Sequence, residues 1–444
     1  MRPRCRAGAG PAGRAPGVAA DPDAGRCEPR SPRRPPCRRS PAPRAVVAVR
    51  REPSRGPVLS KRLITALLSV GVLAVLLAAL LADPDGDPAG DAPPGTAAGP
   101  STGSAPPAPE LRTYTADEAG RAFLDGYVDD DGRVVRTDQG GDTVSEGQAY
   151  AMLVAVALGD AATFESAWTW ARDNLQRPDG LLSWRWAEGG VVDASAAADA
   201  DLDAARALVL AGERFGEPRY TTAGLDLGRA VLDLETVQTG AGRILLAGQW
   251  ATSEPYAYNP SYASPGATAL LGAASGDPRW AELTAGSRAV TGSLLEQAPL
   301  PPDWAQVRAD GTVEAMPGAM GRGVDVRYGY DAARTPIRFA ESCDPADRAL
   351  AADMLVPLDR GGDVAELDLG GSPVTQGESV VAAAGQAAAV AAAGDTARAA
   401  EELVDADHLV QTDPSYYGAA WAALGRFLLT DDVLGGCPPA PLAR

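Results

Sequence analysis

Beyond residue 110 the apolar residues recur at spacings of three and four, the period of a helix with one face turned inward. Counting such runs predicts about twelve helices, near 115–127, 145–158, 162–174, 198–215, 219–236, 262–275, 278–297, 332–342, 346–358, 375–393, 396–406 and 414–429. Strand signals are few and short. Thr115 with Glu118 spells a capping box, and Asp277-Pro278, Asp344-Pro345 and Asp413-Pro414 each read as an N-cap followed by proline at the first helical position. Ala204 to Ala211 and Ala382 to Ala393 are rich in alanine and glycine, so their helices can pack closely. The long connections 176–197, 237–260 and 298–331 hold Trp184, Trp186, Trp250, Tyr256, Tyr258 and Trp304, and aromatic loops of this length are where binding concentrates. No fixed repeat is visible, so an all-α domain of paired helices closed into a toroid is expected rather than an open solenoid.

The segments before residue 110 change the picture of where this domain works. Leu63 to Ala82 is an uncharged run of about the 20 residues a transmembrane helix needs, preceded by Arg55, Lys61 and Arg62. It is expected to be an uncleaved single-pass anchor with the following domain outside, because Leu80-Leu81-Ala82 makes a poor cleavage site. A cleaved signal, giving a secreted domain, is the alternative. Residues 1–62 form a basic, disordered tail that an upstream start-site error would also explain, and 83–109 a Pro/Gly/Ala-rich linker. A globular domain is expected over 110–436, with a short tail at 437–444.

Charge divides the same way. Residues 1–62 carry 16 Lys or Arg against 4 Asp or Glu, leaving 24 against 54 afterwards, so +12 and −30 make up the net −18. A domain this acidic repels phosphate, which argues against a nucleic-acid partner and favours a neutral or cationic substrate. The single histidine, His408, and the lack of paired cysteine spacing leave few ligands for zinc, so neither metal nor cofactor is expected. Cys343 and Cys437 are the only cysteines after the linker; an exported domain can join them, or leave both as free thiols.

Three acids stand out because apolar or small residues surround them. Glu146, in Ser145-Glu146-Gly147-Gln148, opens a helix with few charges nearby, where partial desolvation raises a carboxyl pKa as a general acid requires. The alternative is a glutamate that only caps the helix. Asp199 begins Asp199-Ala200-Asp201-Leu202-Asp203; on a helix Asp199 and Asp203 share a face while Asp201 points elsewhere, and either Asp199 or Asp201 can serve as an N-cap. Asp331 follows Tyr330 and precedes Arg334 by three positions, so a guanidinium can orient its carboxylate, or simply pair with it on a helix surface.

Together these segments resemble glycoside hydrolase family 8. Ala197-Ala198-Asp199-Ala200-Asp201, then Ala204, Ala205 and Phe215, is similar to the family signature, with Ala198 in place of a hydroxyl residue and Ala204 in place of a larger aliphatic. Ser145-Glu146-Gly147-Gln148 resembles the general-acid motif, Asn259-Pro260-Ser261-Tyr262 the tyrosine loop, and Tyr330 to Arg334 the general-base segment, with Ile337 where tryptophan is frequent. Tyr416-Tyr417 resembles the tyrosine pair of the last helix, and the likeness runs in order over roughly 110–430.

The resemblance implies an (α/α)6 barrel and an endo-acting, inverting hydrolase of β-1,4-glucan. Glu146 would protonate the glycosidic oxygen, Asp331 would activate water from the opposite face, and Asp199 would support the distorted sugar, with the two outer carboxyls ~6.5–9.5 Å apart. Tyr262, Tyr330, Arg334 and Gln148 are implied to bind substrate or orient water. Trp184 and Trp186 are candidates to stack on sugar rings, with core packing as the alternative. A monomer is expected. The competing readings are a chitosanase or xylan-acting member of the same family, and a non-catalytic glycan-binding protein on a degenerate hydrolase scaffold.

Overall fold

In the computed structural model, residues 111–434 are described, apart from 320 and 324. The expected anchor at 63–82, the basic tail, the linker and the segment 437–444 lie outside the described residues. Among the described residues no helix is long and apolar enough to cross a membrane.

Among the described residues twelve α-helical stretches form two alternating layers, the ninth of them broken at Met354. Helices α2 (Ser145–Leu158), α4 (Ala198–Arg214), α6 (Pro265–Ser275), α8 (Arg334–Ala340), α11 (Val380–Ala392) and α13 (Tyr416–Thr430) each pack against the next, and α13 returns to α2, closing a ring. Outside it lie α1 (Ala116–Tyr127), α3 (Ala161–Asn174), α5 (Pro218–Leu234), α7 (Arg279–Gln297), the broken pair α9 (Pro345–Asp353) and α10 (Leu355–Gly361), and α12 (Thr396–Thr412). Each outer helix backs an inner one, as α5 does α4 and α12 does α11.

Hydrophobic pattern separates the layers. Inner helix α2 is apolar all round and buries every residue from Gly147 to Ala157, as a fully enclosed helix must. Outer helix α1 is amphipathic, buries Ala119, Gly120, Phe123 and Leu124, and opens with the capping box expected at Thr115 and Glu118. Inner helix α11 consists largely of alanine because its neighbour runs against it: a Cβ on Gly385 would stand 2.5 Å from the Ala333 carbonyl oxygen.

Three expected helix starts are corrected: Pro278 holds the N-cap of α7 rather than its first position, with Asp277 accepting from the Arg279 amide. Asp413-Pro414 does not begin α13; Asp413 closes α12, and Ser415 caps α13 by accepting from the Gly418 amide. The helix expected from 375 begins at Val380, because this stretch is held extended: Ala365 N–H donates to the Gly377 carbonyl and Ser379 N–H to that of Asp363. Asp344 caps α9 as expected, accepting from the Ala346 amide. Neither Asp199 nor Asp201 is an N-cap: Ala197 holds that position in α4 without a side-chain bond.

The long connections fold into small antiparallel sheets. The first joins β1 (Thr143–Val144), β2 (Arg185–Ala187) and β3 (Gly190–Asp193); the second is the hairpin β4 (Thr236–Thr239) and β5 (Gly242–Leu245); the third joins β6 (Tyr256–Tyr258), β7 (Trp304–Val307) and β8 (Val313–Met316). Cys343 is disulfide-bonded, and Cys437 lies outside the described residues.

Candidate active site

Glu146 is the second residue of α2, Asp199 the second of α4, and Asp331 stands three residues before α8. All three acids thus sit where inner helices begin. Glu146, Tyr262, Tyr330, Asp331 and Arg334 line one cavity of about 530 Å³, together with Tyr150, Tyr416 and Tyr417.

Arg334, the first residue of α8, ties the acids together. Its guanidinium donates to Asp331 Oδ1 at 2.7 Å, to Asp199 Oδ2 at 2.9 Å and to the Tyr150 hydroxyl at 3.2 Å. It lies 5.5 Å from the Tyr262 ring centre and 6.0 Å from that of Trp421. An arginine confined in this way presents its donors in a fixed fork. Asp203, one turn beyond Asp199, pairs with Arg338, one turn beyond Arg334, and Arg206 pairs with Glu341 at 2.9 Å. Asp201 turns the other way, as the helical period requires, and accepts from the Leu182 amide at 2.8 Å.

The acids differ in what surrounds them. Glu146 keeps some solvent contact at the cavity wall, yet protein encloses its carboxyl closely enough that desolvation, reinforced by the Asp199 charge, lifts its pKa to about 7. The Trp184 indole N–H donates to Glu146 Oε1 at 3.1 Å and pulls the other way. Burial pushes Asp199 up to about 6 against the Arg334 charge. Asp331 is a third exposed and held by Arg334. A carboxyl whose pKa is raised and a second acid held by an arginine, both lining one cavity, are the parts acid/base hydrolysis uses.

Tyr262 is buried with its ring edge-on to Trp304. Tyr330 is half exposed; its carbonyl oxygen accepts from the Tyr417 hydroxyl at 2.9 Å and its ring meets that of Tyr417 edge-on. Trp184 is placed as the hydrogen-bond donor to Glu146. Trp186 instead packs edge-on against Trp170, with the Arg133 guanidinium 4.4 Å from its ring centre. The two tryptophans part because the strand has a bulge between Arg185 and Trp186.

Gln148 requires correction as a substrate-binding residue. It is fully buried: its Oε1 accepts from the Val134 amide, and its Nε2 donates to the Gly132 and Ala167 carbonyl oxygens at 3.1 and 3.0 Å. It braces the loop before α2. Tyr150 and Asp303 were not foreseen. Tyr150 lies one turn after Glu146 and carried the helical signal for sharing its face. Asp303 follows a proline pair in an irregular loop and carried none.

The pattern that defines Glycosyl hydrolases family 8 matches residues 113–428. A probable endoglucanase of Novacetimonas hansenii is 38% identical over 225 residues, 49% of this chain and 64% of that protein. The endoglucanase of Escherichia coli (strain K12) is 33% identical over 202 residues, 42% of this chain and 54% of its own length. The chain thus spans less than two thirds of the length of each of these two relatives. Among solved structures, endo-beta-1,4-glucanase CMCax from Acetobacter xylinum aligns with a TM-score of 0.60 at 29% identity, covering 71% of this chain and 97% of that one. A beta-1,3-1,4-glucanase from Paenibacillus sp. X4, at 20% identity and a TM-score of 0.62, shares the fold. With the match running from the helix before Glu146 to the one that carries Tyr417, this chain belongs to glycosyl hydrolase family 8.

Proposed function

We propose that this protein is an endo-acting glycoside hydrolase that cleaves β-1,4-linked glucan with inversion at the anomeric carbon. The observation that carries the reading is the pairing of Glu146, lifted to about 7, with Asp331, held by Arg334, in one cavity. Glu146 enters the reaction protonated and gives its proton to the glycosidic oxygen as the bond to the anomeric carbon breaks. Asp331 takes a proton from the water that attacks the opposite face, and the oxygen of that water becomes the new anomeric hydroxyl. Asp199, fixed by Arg334, faces the charge that develops on the ring. Glu146 ends ionised and Asp331 protonated, so a proton must return through solvent before the next turnover. Tyr262, Tyr330 and Tyr417 offer ring faces and hydroxyls to the polymer. Endo action and the β-1,4 linkage are supported by the relatives, which are described as endoglucanases.

Chitosan is a second candidate, because the exposed carboxylates of Glu378 and Asp413 line the same cavity and would attract ammonium groups. The run at 63–82 leads us to propose further that the domain acts outside the cell membrane, to which it is tethered as a monomer. Detergent extraction from a membrane fraction tests the tether.

The deciding experiment incubates residues 110–444 with carboxymethylcellulose, mixed-linkage glucan, xylan and chitosan, and follows the product anomer of a cello-oligosaccharide by proton NMR. Release of the α-anomer is expected. Retained configuration would remove the assigned roles, and binding without cleavage would make the chain a glycan-binding scaffold.

A further inference from the structure

The base-bearing turn is held by an acid the reaction does not consume. Asp303 precedes β7, and its Oδ1 accepts from the Gly329 amide at 2.9 Å and the Ala332 amide at 2.7 Å. Its own N–H donates to the Arg327 carbonyl at 2.9 Å. Three hydrogen bonds from one residue therefore bracket Arg327 to Ala332, with Asp331 between the two clamped amides. The fit is close: a Cβ on Gly329 would lie 2.6 Å from Asp303 Oδ2, so the carboxyl can cover the turn only because position 329 is glycine. Charged or titratable groups facing Asp303 are Asp331, Arg334, Arg327 and Tyr328.

Resting on the reading of Asp331 as the base, we propose that Asp303 is its positioning residue, fixing the carboxylate against the water it activates. Asp303 is not assigned contact with substrate. A base on a loop needs such a hold, since a displacement of about 1 Å can cost ~10²-fold in rate. Burial, with the Asp331 charge adding to it, lifts the Asp303 carboxyl to about 7, and the two amide donors oppose the shift. The clamp does not depend on that charge, because a neutral carboxyl or an amide oxygen accepts the same two bonds.

The test compares Asp303→Ala, Asp303→Asn and Gly329→Ala in the full chain. Asp303→Ala is expected to lower kcat ~10²-fold with KM within ~2-fold, because the Tyr417 hydroxyl still holds the Tyr330 carbonyl and the other substrate contacts lie on other elements, while the base drifts. Asp303→Asn keeps an acceptor and should stay within ~5-fold of wild type. Wild-type kcat in Asp303→Ala would overturn the proposal, as would an Asn variant as slow as the Ala variant. Should Asp303→Ala fail to fold, Gly329→Ala replaces it: lower kcat at unchanged KM supports the clamp, and wild-type kcat overturns it. An inactive wild-type enzyme would overturn the functional reading instead. Amide exchange then judges the clamp alone, with Gly329 and Ala332 expected to exchange at least ~10-fold faster in Asp303→Ala than in Asp303→Asn and equal rates overturning it.

Discussion

How much proton Glu146 holds at a given pH is set by its enclosure and by nearby groups, with the Arg334 charge among those that favour the ionised form. Enclosure and Asp199 favour the neutral acid, while the Trp184 indole N–H favours the ionised one. With a value of about 7, the pH profile should fall on its alkaline side near neutrality, where the proton donor is lost. Trp184→Phe removes a hydrogen bond to the charged form, so the alkaline limb should move up by about one pH unit, the size expected from a charge-assisted bond. An unmoved limb in the kcat/KM profile would show that the indole does not tune the acid. Glu146→Gln and Asp331→Asn should each lower turnover by at least ~10³-fold while circular dichroism stays unchanged.

Gln148 shows why the residue scale was only partly legible. Its place in Ser145-Glu146-Gly147-Gln148 suggested a shared role with Glu146, but two positions along a helix is more than half a turn, so the two side chains point apart. Tyr150, four positions along, is the residue that shares the face. The three acids were legible because each interrupts an apolar run. Asp303 was not, because its purpose is defined by amides 26 and 29 positions away.

At the scale of elements, α4 and α8 are joined by successive buried pairs, Asp199 with Arg334, Asp203 with Arg338 and Arg206 with Glu341. Asp203 and Arg338 are almost completely enclosed, so neither can be removed alone without stranding the other's charge. Asp203→Ala should therefore cost about 3–5 kcal/mol in a denaturant titration, and Asp203→Leu with Arg338→Met should recover most of the loss. A loss below about 1 kcal/mol for the single change would place the pair among surface-like ion pairs.

Most helices were foreseen from the apolar period, and α2 was foreseen from first residue to last. Failures fell at starts with rival signals: Asp413 and Ser415 are both capable caps two residues apart, and it is Ser415 that accepts from the Gly418 amide. Helix α11 looked longer because Thr375 to Ser379 contains no breaker strong enough to reveal its bonds to the 363–365 segment. The small sheets were hidden in loops whose strands are two to four residues long, too short to show a period of two.

For the molecule as a whole, enclosed carboxyls impose a dependence of stability on pH. Glu146, Asp199 and Asp303 have folded values of about 7, 6 and 7, all above those of an unfolded chain, and burial also holds Asp201 and Glu235 well above theirs. The folded state thus binds more protons than the unfolded state between roughly pH 4 and pH 7, so stability is greatest at the acidic end of that window and falls as pH rises through it. Depressed carboxyls such as Asp142 and Asp277 act below it, where acidification costs stability. Calorimetry should find a melting temperature several degrees higher near pH 5 than near pH 7.5, and Asp303→Asn should narrow the gap. A higher melting temperature at pH 7.5 would contradict these environments.

The inner helices all begin at the end of the ring where the cavity opens. Backbone that holds the barrel shut is therefore spatially divided from backbone that borders the cavity. The hairpins β2–β3 and β7–β8 stand in connections that lead into inner helices, so extra residues inserted there would lengthen those connections without disturbing a single turn of the ring. Such a division leaves the loop end free to vary while the cylinder of helices stays as it is.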